Sequence, residues 1–203
     1  MKNKKKYIII SPFFPNDNNH SGSYVYDQAK TLIDITNYDV KVIKVVSIFS
    51  NERDYLFNGI KVKVFRVLDL PFFIFPGIFN FINSFRVKNF FGKHNYLENL
   101  DVIHAHVCYP SAYLANAVSS IVKVKTIAQH HGIDALQLLN GRLSLLTKLQ
   151  KEILKNRSLN QLSKIGLILS VSNRVRLALH SYSNYKPKNE FILYNGVDRD
   201  KFY

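Results

Sequence analysis

The sequence has a single cysteine, Cys108, among 203 residues, so it cannot form an internal disulfide framework. One free cysteine fits a reducing compartment, and we expect a cytoplasmic protein. The chain also lacks any run of about 18 uninterrupted apolar residues, the length that a membrane-spanning helix needs. The basic segment Lys2–Lys6 precedes the apolar residues Tyr7–Ile10, but Ser11 and Pro12 interrupt them and no small-residue cleavage site follows. A signal peptide is therefore not expected.

Acidic residues are scarce relative to basic ones. Fourteen Asp and Glu residues stand against 28 Lys and Arg residues, which gives a formal net charge of +14. A charge of this size attracts nucleic acid, anionic lipid or phosphorylated metabolites, although a solvated basic surface is the alternative. The sequence has no zinc-finger spacing, no RNP-like aromatic motif and no basic helix followed by heptads. We therefore do not expect it to bind nucleic acid.

No nucleotide-binding fingerprint is complete in the sequence. The loop after the first apolar segment has one glycine, Gly22, where the dinucleotide motif G-x-G-x-x-G requires three, and no Walker sequence occurs. A dinucleotide-binding or P-loop NTPase function is therefore disfavoured. Bare backbone amides of Gly22 and Ser23 at a helix start could still hold an anion such as a phosphate, with a simple serine-capped helix start as the alternative.

Short segments rich in Ile, Val, Phe and Tyr alternate with longer segments of helical periodicity. This alternation predicts an α/β domain with a Rossmann-like doubly wound parallel sheet of about seven strands and helices on both faces. The first strand is apolar and is expected in the middle of the sheet, whereas the next two carry alternating lysines, as strands nearer an edge do. The predicted strands are Tyr7–Ser11, Asp39–Val46, Ile60–Val67, Val102–His106, Val124–His130, Gly166–Val171 and Glu190–Tyr194. The predicted helices are Gly22–Thr36, Ile78–Tyr96, Ser111–Ser120, Arg142–Ser163 and Asn173–Ser183.

The last residues of the chain are typical of the exit from a domain. Asn195 and Gly196 follow the last predicted strand and permit a tight turn, and the segment Asp198–Phe202 offers a helix cap and an apolar anchor. We therefore expect one Rossmann-like domain over residues 1–194 and the start of an interdomain linker over residues 195–203. A C-terminal domain is expected to be absent from this chain.

Polar residues follow five of the predicted strands. The ligand crevice of an open parallel sheet lies at the carboxyl ends of its strands, so these residues are expected to share one rim. A Ser-His-Asp hydrolase site is disfavoured there, because Ser172 has no nucleophile elbow. The rim residues are the first-loop residues that end in Ser21–Ser23, then His104 and His106, then Gln129–Asp134, then Ser172, and finally Asn195.

Four histidines dominate the predicted rim. His104 and His106 alternate onto one face of their strand and could form a metal pair, but no cysteine or carboxylate stands nearby at ligand spacing, so a zinc site is disfavoured. We expect His104 to be packed and His106 to contact ligand. One of His130 and His131 is expected to contact a polar substrate, with Asp134 placed to orient it, and the other to face the core.

The segment Pro71–Arg86 is aromatic almost throughout and is followed by Lys88. A protein surface rarely exposes so much apolar area, so the segment is expected to be buried under a neighbour or to lie in a membrane interface. Burial is slightly favoured, because alternating Phe and Asn with two prolines make a poor regular amphipathic helix.

Five segments together resemble the N-terminal domain of GT-B-fold glycosyltransferases, in particular the large retaining family that uses nucleotide-sugar donors (glycosyltransferase family 4-like). They occur in the family's order and spacing and span nearly the whole chain. The matching segments are Ser11–Pro15 with Ser21–Ser23, then Asp101–His106, His130–Asp134, Ile168–Ser172, and Tyr194–Asp198 with Phe202.

The resemblance implies an enzyme of two domains, of which the N-terminal one binds the acceptor and the C-terminal one holds the nucleotide sugar. It implies no cofactor and no active-site metal. Gly22 matches the first-loop glycine that approaches the donor phosphates, and His131 matches a histidine near the transferred sugar and is the candidate catalytic residue. Asp134 matches the acid that follows this histidine. Ser172 and Asn195 match positions that line the cleft and the hinge.

The sequence departs from the family in two respects. Ser21–Gly22 replaces the usual Gly-Gly, and the donor domain with its paired glutamates is absent, so the isolated chain is expected to be inactive. The leading hypothesis is the acceptor-binding half of a hexosyl-transferring enzyme in the assembly of a surface polysaccharide or other glycoconjugate. The basic charge and the aromatic segment favour a lipid-linked acceptor and peripheral contact with the inner face of the plasma membrane. The alternatives are a stand-alone or split binding module that recruits a partner through the open cleft, and an unrelated Rossmann-like nucleotide binder.

Overall fold

A computed structural model of the protein describes residues 4–69, 77–131 and 145–196. They form one eight-stranded sheet with helices on both faces. The strands are β1 (Lys6–Ser11), β2 (Asp39–Ser47), β3 (Tyr55–Phe57), β4 (Ile60–Val67), β5 (Leu100–His106), β6 (Lys125–His130), β7 (Leu167–Ser170) and β8 (Glu190–Ile192). The helices are α1 (Ser23–Ile35), α2 (Asn80–Lys93), α3 (Tyr113–Ser119), α4 (Leu145–Leu162) and α5 (Asn173–His180), with an irregular turn at Cys108–Ala112 before α3.

The strand order across the sheet is β3-β4-β2-β1-β5-β6-β7-β8. Every neighbouring pair is parallel except β3 with β4. The predicted Rossmann-like sheet is confirmed, with β1 between β2 and β5 and its residues Ile8–Ile10 fully buried. The prediction that the lysine-bearing strands β2 and β4 lie toward an edge is also confirmed. This order sets the carboxyl ends of β1, β5, β6 and β7 side by side.

Apolar side chains on the two faces of the sheet build two core layers. On one face α1 packs Val25 and Ala29 against Ile9 and its neighbours. On the other face α2, α3, α4 and α5 pack together, with Phe91 of α2 and Leu159 of α4 among the fully buried side chains. Helices therefore cover both faces, as the alternating sequence pattern predicts.

One strand of the sheet was not predicted. β3 pairs antiparallel with β4 through a two-residue turn at Asn58 and Gly59, whose φ angles are 45° and 82°. An Asn-Gly pair between two strand segments is a strong hairpin signal, because both residues of such a turn need positive φ. The three residues Tyr55–Phe57 are too few to show the alternation by which strands are recognised.

Several predicted features fall outside the described residues. Among them are Gly132 and Asp134 of the rim, the aromatic residues Phe72–Phe75 and the segment Asp198–Phe202. Within the described part of the chain, no helix combines the length and the apolar character needed to cross a bilayer.

Candidate functional site

The carboxyl ends of β1, β5, β6 and β7 meet at one rim with the N-terminus of α1. Because these strands are parallel neighbours, the residues that follow them come together even though they are distant in sequence. Tyr24 of α1 contacts His131, which follows β6, with 4.1 Å between the ring centroids. Ser11, at the end of β1, is buried, and its hydroxyl donates to the Phe13 carbonyl oxygen at 2.7 Å. The structure thus brings the ends of these strands together at one rim, with His131 beside the start of α1.

Gly22 is the N-cap residue of α1 and has a left-handed backbone conformation, with φ 88°. A Cβ atom on this residue would lie 2.5 Å from the carbonyl carbon of Phe13 and 2.8 Å from the nitrogen of Phe14. Only glycine fits here, because the first loop folds directly onto the helix start and other residues avoid positive φ. The tight loop brings the positive end of the α1 dipole to the rim.

Ser23 is the first residue of α1. Its backbone amide donates to the carbonyl oxygen of His20 at 3.2 Å, and its hydroxyl donates to the same oxygen at 2.7 Å. The predicted bare amide at Ser23 is therefore already occupied. The alternative of a serine cap is also wrong, because the N-cap residue is Gly22. An anion bound by the Ser23 amide would have to replace the His20 carbonyl oxygen.

His106 and His131 are joined by a hydrogen bond between Nδ1 of His106 and Nε2 of His131, 3.0 Å apart. Their rings are stacked, with 10° between the planes. His131 is half-buried, whereas His106 is fully buried. The sequence predicts that His106 contacts ligand. In the structure its side chain is shielded from solvent and bonded to His131, so direct contact with a ligand stays a prediction.

His104 extends the stack of rings into the sheet. Its ring centroid lies 4.4 Å from that of His106, and its Nδ1 lies 2.9 Å from the hydroxyl oxygen of Tyr7. Its burial confirms that it is packed. Burial lowers the pKa of His104 to about 3, with the nearby His131 adding to the shift. Burial also lowers the pKa of His106 well below its usual value, and His104 and His131 add to that shift. Both imidazoles are therefore neutral at pH 7.

His130 confirms that strand alternation separates the two adjacent histidines. It is buried, and its Nδ1 lies 3.0 Å from Sγ of Cys108. Neither Cys108 nor the preceding Val107 is expected in this region from the sequence. Val107 has φ 70°, a conformation that β-branched residues rarely adopt, and its amide donates to the Gln129 carbonyl oxygen at 3.0 Å. No feature of the sequence indicates that the backbone of a valine is strained at the end of this strand.

Ser172 and Asn195 have different surroundings. The Ser172 hydroxyl accepts a hydrogen bond from the Val175 amide at 3.2 Å and caps α5, so its contact with substrate stays a prediction. Asn195 lines a groove of about 860 Å³ that runs along α1 and is also lined by Tyr24 of α1 and by Tyr7 and His104 of the sheet. Tyr24, His104 and Asn195 are the lining residues of this groove that belong to the rim. The rim, not the groove as a whole, therefore holds the candidate chemistry.

The described residues contain no group of three or more His, Cys, Asp or Glu side chains that could hold a metal ion. His104 and His106 instead direct their Nδ1 atoms to Tyr7 and His131. What the arrangement offers is a helix N-terminus for negative charge beside an imidazole held by Tyr24 and His106. Such a rim can bind a polar, partly anionic ligand and orient its hydroxyl groups.

Comparison with protein families gives one match. The model of the family described as Glycosyltransferase Family 4 matches residues 21–201, which include α1, the rim histidines and Asn195. A comparison with curated proteins gives no significant match.

Solved structures share the fold at low sequence identity. Sucrose-phosphate synthase from Thermosynechococcus elongatus has a TM-score of 0.58 at 10% identity, over 95% of this chain and 91% of that chain. UGT2 of Phytolacca americana, complexed with UDP-2-fluoroglucose and pterostilbene, has a TM-score of 0.57 at 10% identity, over 96% of this chain and 55% of that one. An α,α-trehalose-phosphate synthase (UDP-forming) from Burkholderia vietnamiensis has a TM-score of 0.55 at 10% identity, over 98% of this chain and 51% of that one. The chain thus spans about half the length of the latter two proteins.

Proposed function

This chain belongs to Glycosyltransferase Family 4 and folds as the N-terminal domain of a GT-B enzyme, and we propose that it binds the acceptor in sugar transfer. The sugar, a hexose, comes from a nucleotide-sugar donor and goes to a glycan or lipid-linked acceptor with retention of anomeric configuration. The observation that carries the proposal is the rim itself. Gly22, Tyr24, His106 and His131 come from three separate segments and converge on one point.

The chemistry of the rim suits the proposed reaction. Negative charge develops on the leaving diphosphate in sugar transfer, and groups that stabilise this charge lower the barrier. The N-terminus of α1, which Gly22 brings close to the first loop, offers a positive dipole end for that charge. His131 is the proposed catalytic residue, with its imidazole directed at the hydroxyl groups of the transferred sugar. Asp134, Ser172 and Asn195 remain proposed contacts with substrate.

The nucleotide is proposed to be held by a second domain, with residues 195–203 as the start of the linker to it. Support comes from the share of each chain in the structural comparisons, because this chain spans about half of two of the matched proteins. Asn195 and Gly196 lie beyond β8 at the rim, where a hinge would bring the two domains over one cleft. Transfer would then occur between this rim and the donor domain.

The proposed setting is the cytoplasmic face of the membrane, in the assembly of a surface polysaccharide or another glycoconjugate. The net charge of +14 supports it, because anionic lipids attract basic surfaces. A lipid-linked acceptor would place the growing glycan within reach of a protein held at this surface.

Titration of the chain with glycans and with free nucleotides tests the proposal. We expect amide NMR signals of Tyr24 and His131 to shift when short acceptor-like glycans are added. We expect free UDP, GDP and ADP to bind only weakly, with dissociation constants above about 1 mM. Tight binding of a free nucleotide together with no response to any glycan would instead identify a nucleotide binder. Co-purification of a separate donor-domain chain would identify a split enzyme.

A further inference from the structure

Helix α2 exposes apolar side chains on the side that faces away from the core. Its core side is formed by Asn83, Val87 and Phe91, which are buried at a spacing of four residues. The opposite side, with the preceding turn, carries four large apolar residues that we call the exposed stripe. Their exposed fractions are 55% for Ile78, 87% for Phe81, 42% for Ile82 and 64% for Phe85.

The exposed stripe has the spacing of one helix face. Its members are separated by three, one and three residues, which is the pattern of positions i, i+3, i+4 and i+7. The prolines of the aromatic segment precede α2, so Phe81 and Phe85 lie on a regular helix. The sequence-based objection that this segment makes a poor amphipathic helix therefore does not apply to its second half. This face needs a cover that the described residues do not supply.

The charged side chains on α2 are all basic. Between Asp69 and Glu98 the sequence contains no acidic residue, whereas Arg86, Lys88 and Lys93 lie on α2 itself. Asp69 accepts a hydrogen bond from the Tyr109 hydroxyl at 2.6 Å, so this carboxylate is engaged within the fold. An apolar helix face flanked by cations and free of anions is complementary to an anionic lipid surface.

The start of α2 lies near the segment that follows β5, at the carboxyl ends of the strands where the rim is. The start of α2 is tied to the segment that follows β5, because the Tyr113 hydroxyl donates to the Asn80 carbonyl oxygen at 2.5 Å and the Tyr109 hydroxyl lies 3.3 Å from Asn80 Oδ1. Tyr109 is three residues beyond His106. A surface that covers the exposed stripe would therefore lie next to the cleft.

We propose that the exposed stripe inserts into the interface of an anionic membrane, with Lys88 and Lys93 at the level of the lipid headgroups. Docking in this way presents the rim to acceptors that are anchored in the same bilayer. The choice of acceptor and the membrane setting rest on the proposed function, whereas vesicle binding is measured without donor or acceptor.

The test is cosedimentation of the chain with vesicles of phosphatidylcholine, with and without phosphatidylglycerol. We expect binding to the anionic vesicles at low salt and a decrease at high salt, because salt screens the attraction of the lysines. The double variant Phe81→Ser/Phe85→Ser should lower the apparent partition coefficient by about tenfold or more. The variant Lys88→Gln/Lys93→Gln should lower binding to anionic vesicles and leave binding to neutral ones unchanged.

The matched control is the double variant Ile35→Ser/Phe49→Ser, since these side chains are 75% and 70% exposed outside α2. It should bind vesicles as the unsubstituted chain does, and circular dichroism should show that every variant is folded. Equal vesicle binding by the Phe81/Phe85 variant and the control would overturn the proposal, as would no binding to anionic vesicles at low salt. A dimer that only the Phe81/Phe85 variant abolishes would also overturn it and would assign the exposed stripe to a second copy of the chain.

A failure of membrane docking is distinguishable from a failure of the proposed sugar-transfer function. The glycan titration is carried out in solution without vesicles and reports on Tyr24 and His131. Glycan-induced shifts without vesicle binding would overturn the membrane proposal alone.

Discussion

Nδ1 of His106 lies 3.0 Å from Nε2 of His131, and this hydrogen bond joins the half-buried His131 ring to a fully buried partner. One of the two nitrogens must carry a proton and the other must accept it, so the bond couples the tautomers of the two rings. A buried partner that orients an exposed imidazole is a recurring way to set its direction and basicity. In this domain His106 thus holds the ring of His131, which is the proposed catalytic residue.

The buried neutral histidines predict a pH dependence of stability. Burial lowers the pKa of His104 to about 3 and that of His106 well below its usual value, so the unfolded chain binds more protons below about pH 6.5. The free energy of unfolding should therefore decrease as pH falls from about 6.5 to 5, with each histidine contributing a slope approaching about 1.4 kcal/mol per pH unit. Urea unfolding at a series of pH values measures this change in the free energy of unfolding.

The variant His106→Gln provides the control for this pH effect. It removes one of the two titrating groups, so the slope below about pH 6.5 should decrease by up to about 1.4 kcal/mol per pH unit. Asp101 does not confuse the comparison, because its hydrogen bond from Tyr38 lowers its pKa and its carboxylate stays ionised in this range. A stability that is flat between about pH 6.5 and 5 would show that the histidines are not buried as described.

Gly22→Ala tests the fold of the first loop. An alanine at this position would keep the positive φ, and its methyl group would overlap the backbone of Phe13. We therefore expect a loss of about 3 kcal/mol or more in the free energy of unfolding. Gly59→Ala is the matched control, because Gly59 also has positive φ but no atom lies within 4 Å of its Cβ position. That variant should lose only about 1 kcal/mol. Equal losses, measured by urea unfolding, would mean that the loop does not pack on Gly22.

Asn83→Ala tests the anchor of α2. The Asn83 amide accepts a hydrogen bond from the Leu68 nitrogen at 2.8 Å and donates one to the Leu68 oxygen at 2.7 Å. Its removal leaves two partly buried backbone groups without these partners and should cost about 1 to 3 kcal/mol. Asn89→Ala on the exposed side of the same helix should change stability by less than about 0.5 kcal/mol. A small effect of both substitutions, measured by thermal unfolding, would contradict this anchoring.

The sequence predicts the sheet better than it predicts the site. Apolar Ile8–Ile10 and the lysines of β2 and β4 suffice to order the strands, because burial on two faces and exposure near an edge leave different patterns. The rim is predicted only as a neighbourhood. Strand alternation places His104 and His106 on one face, but it does not reveal that His131 covers His106. The left-handed Val107 and the Ser23–His20 bonds depend on loop geometry that sequence periodicity does not encode.

An assay of sugar transfer by the expressed full-length protein tests the central claim most directly. The measurement is the incorporation of labelled sugar from nucleotide-sugar donors into the acceptor pool, compared for His131→Ala and for the control His180→Ala, which lies at the far end of α5. We predict that His131→Ala lowers turnover about 100-fold or more with little change in melting temperature, while His180→Ala leaves turnover unchanged. Unaltered turnover in His131→Ala, or losses of fold and activity in equal measure, would contradict the assignment of His131 to the site.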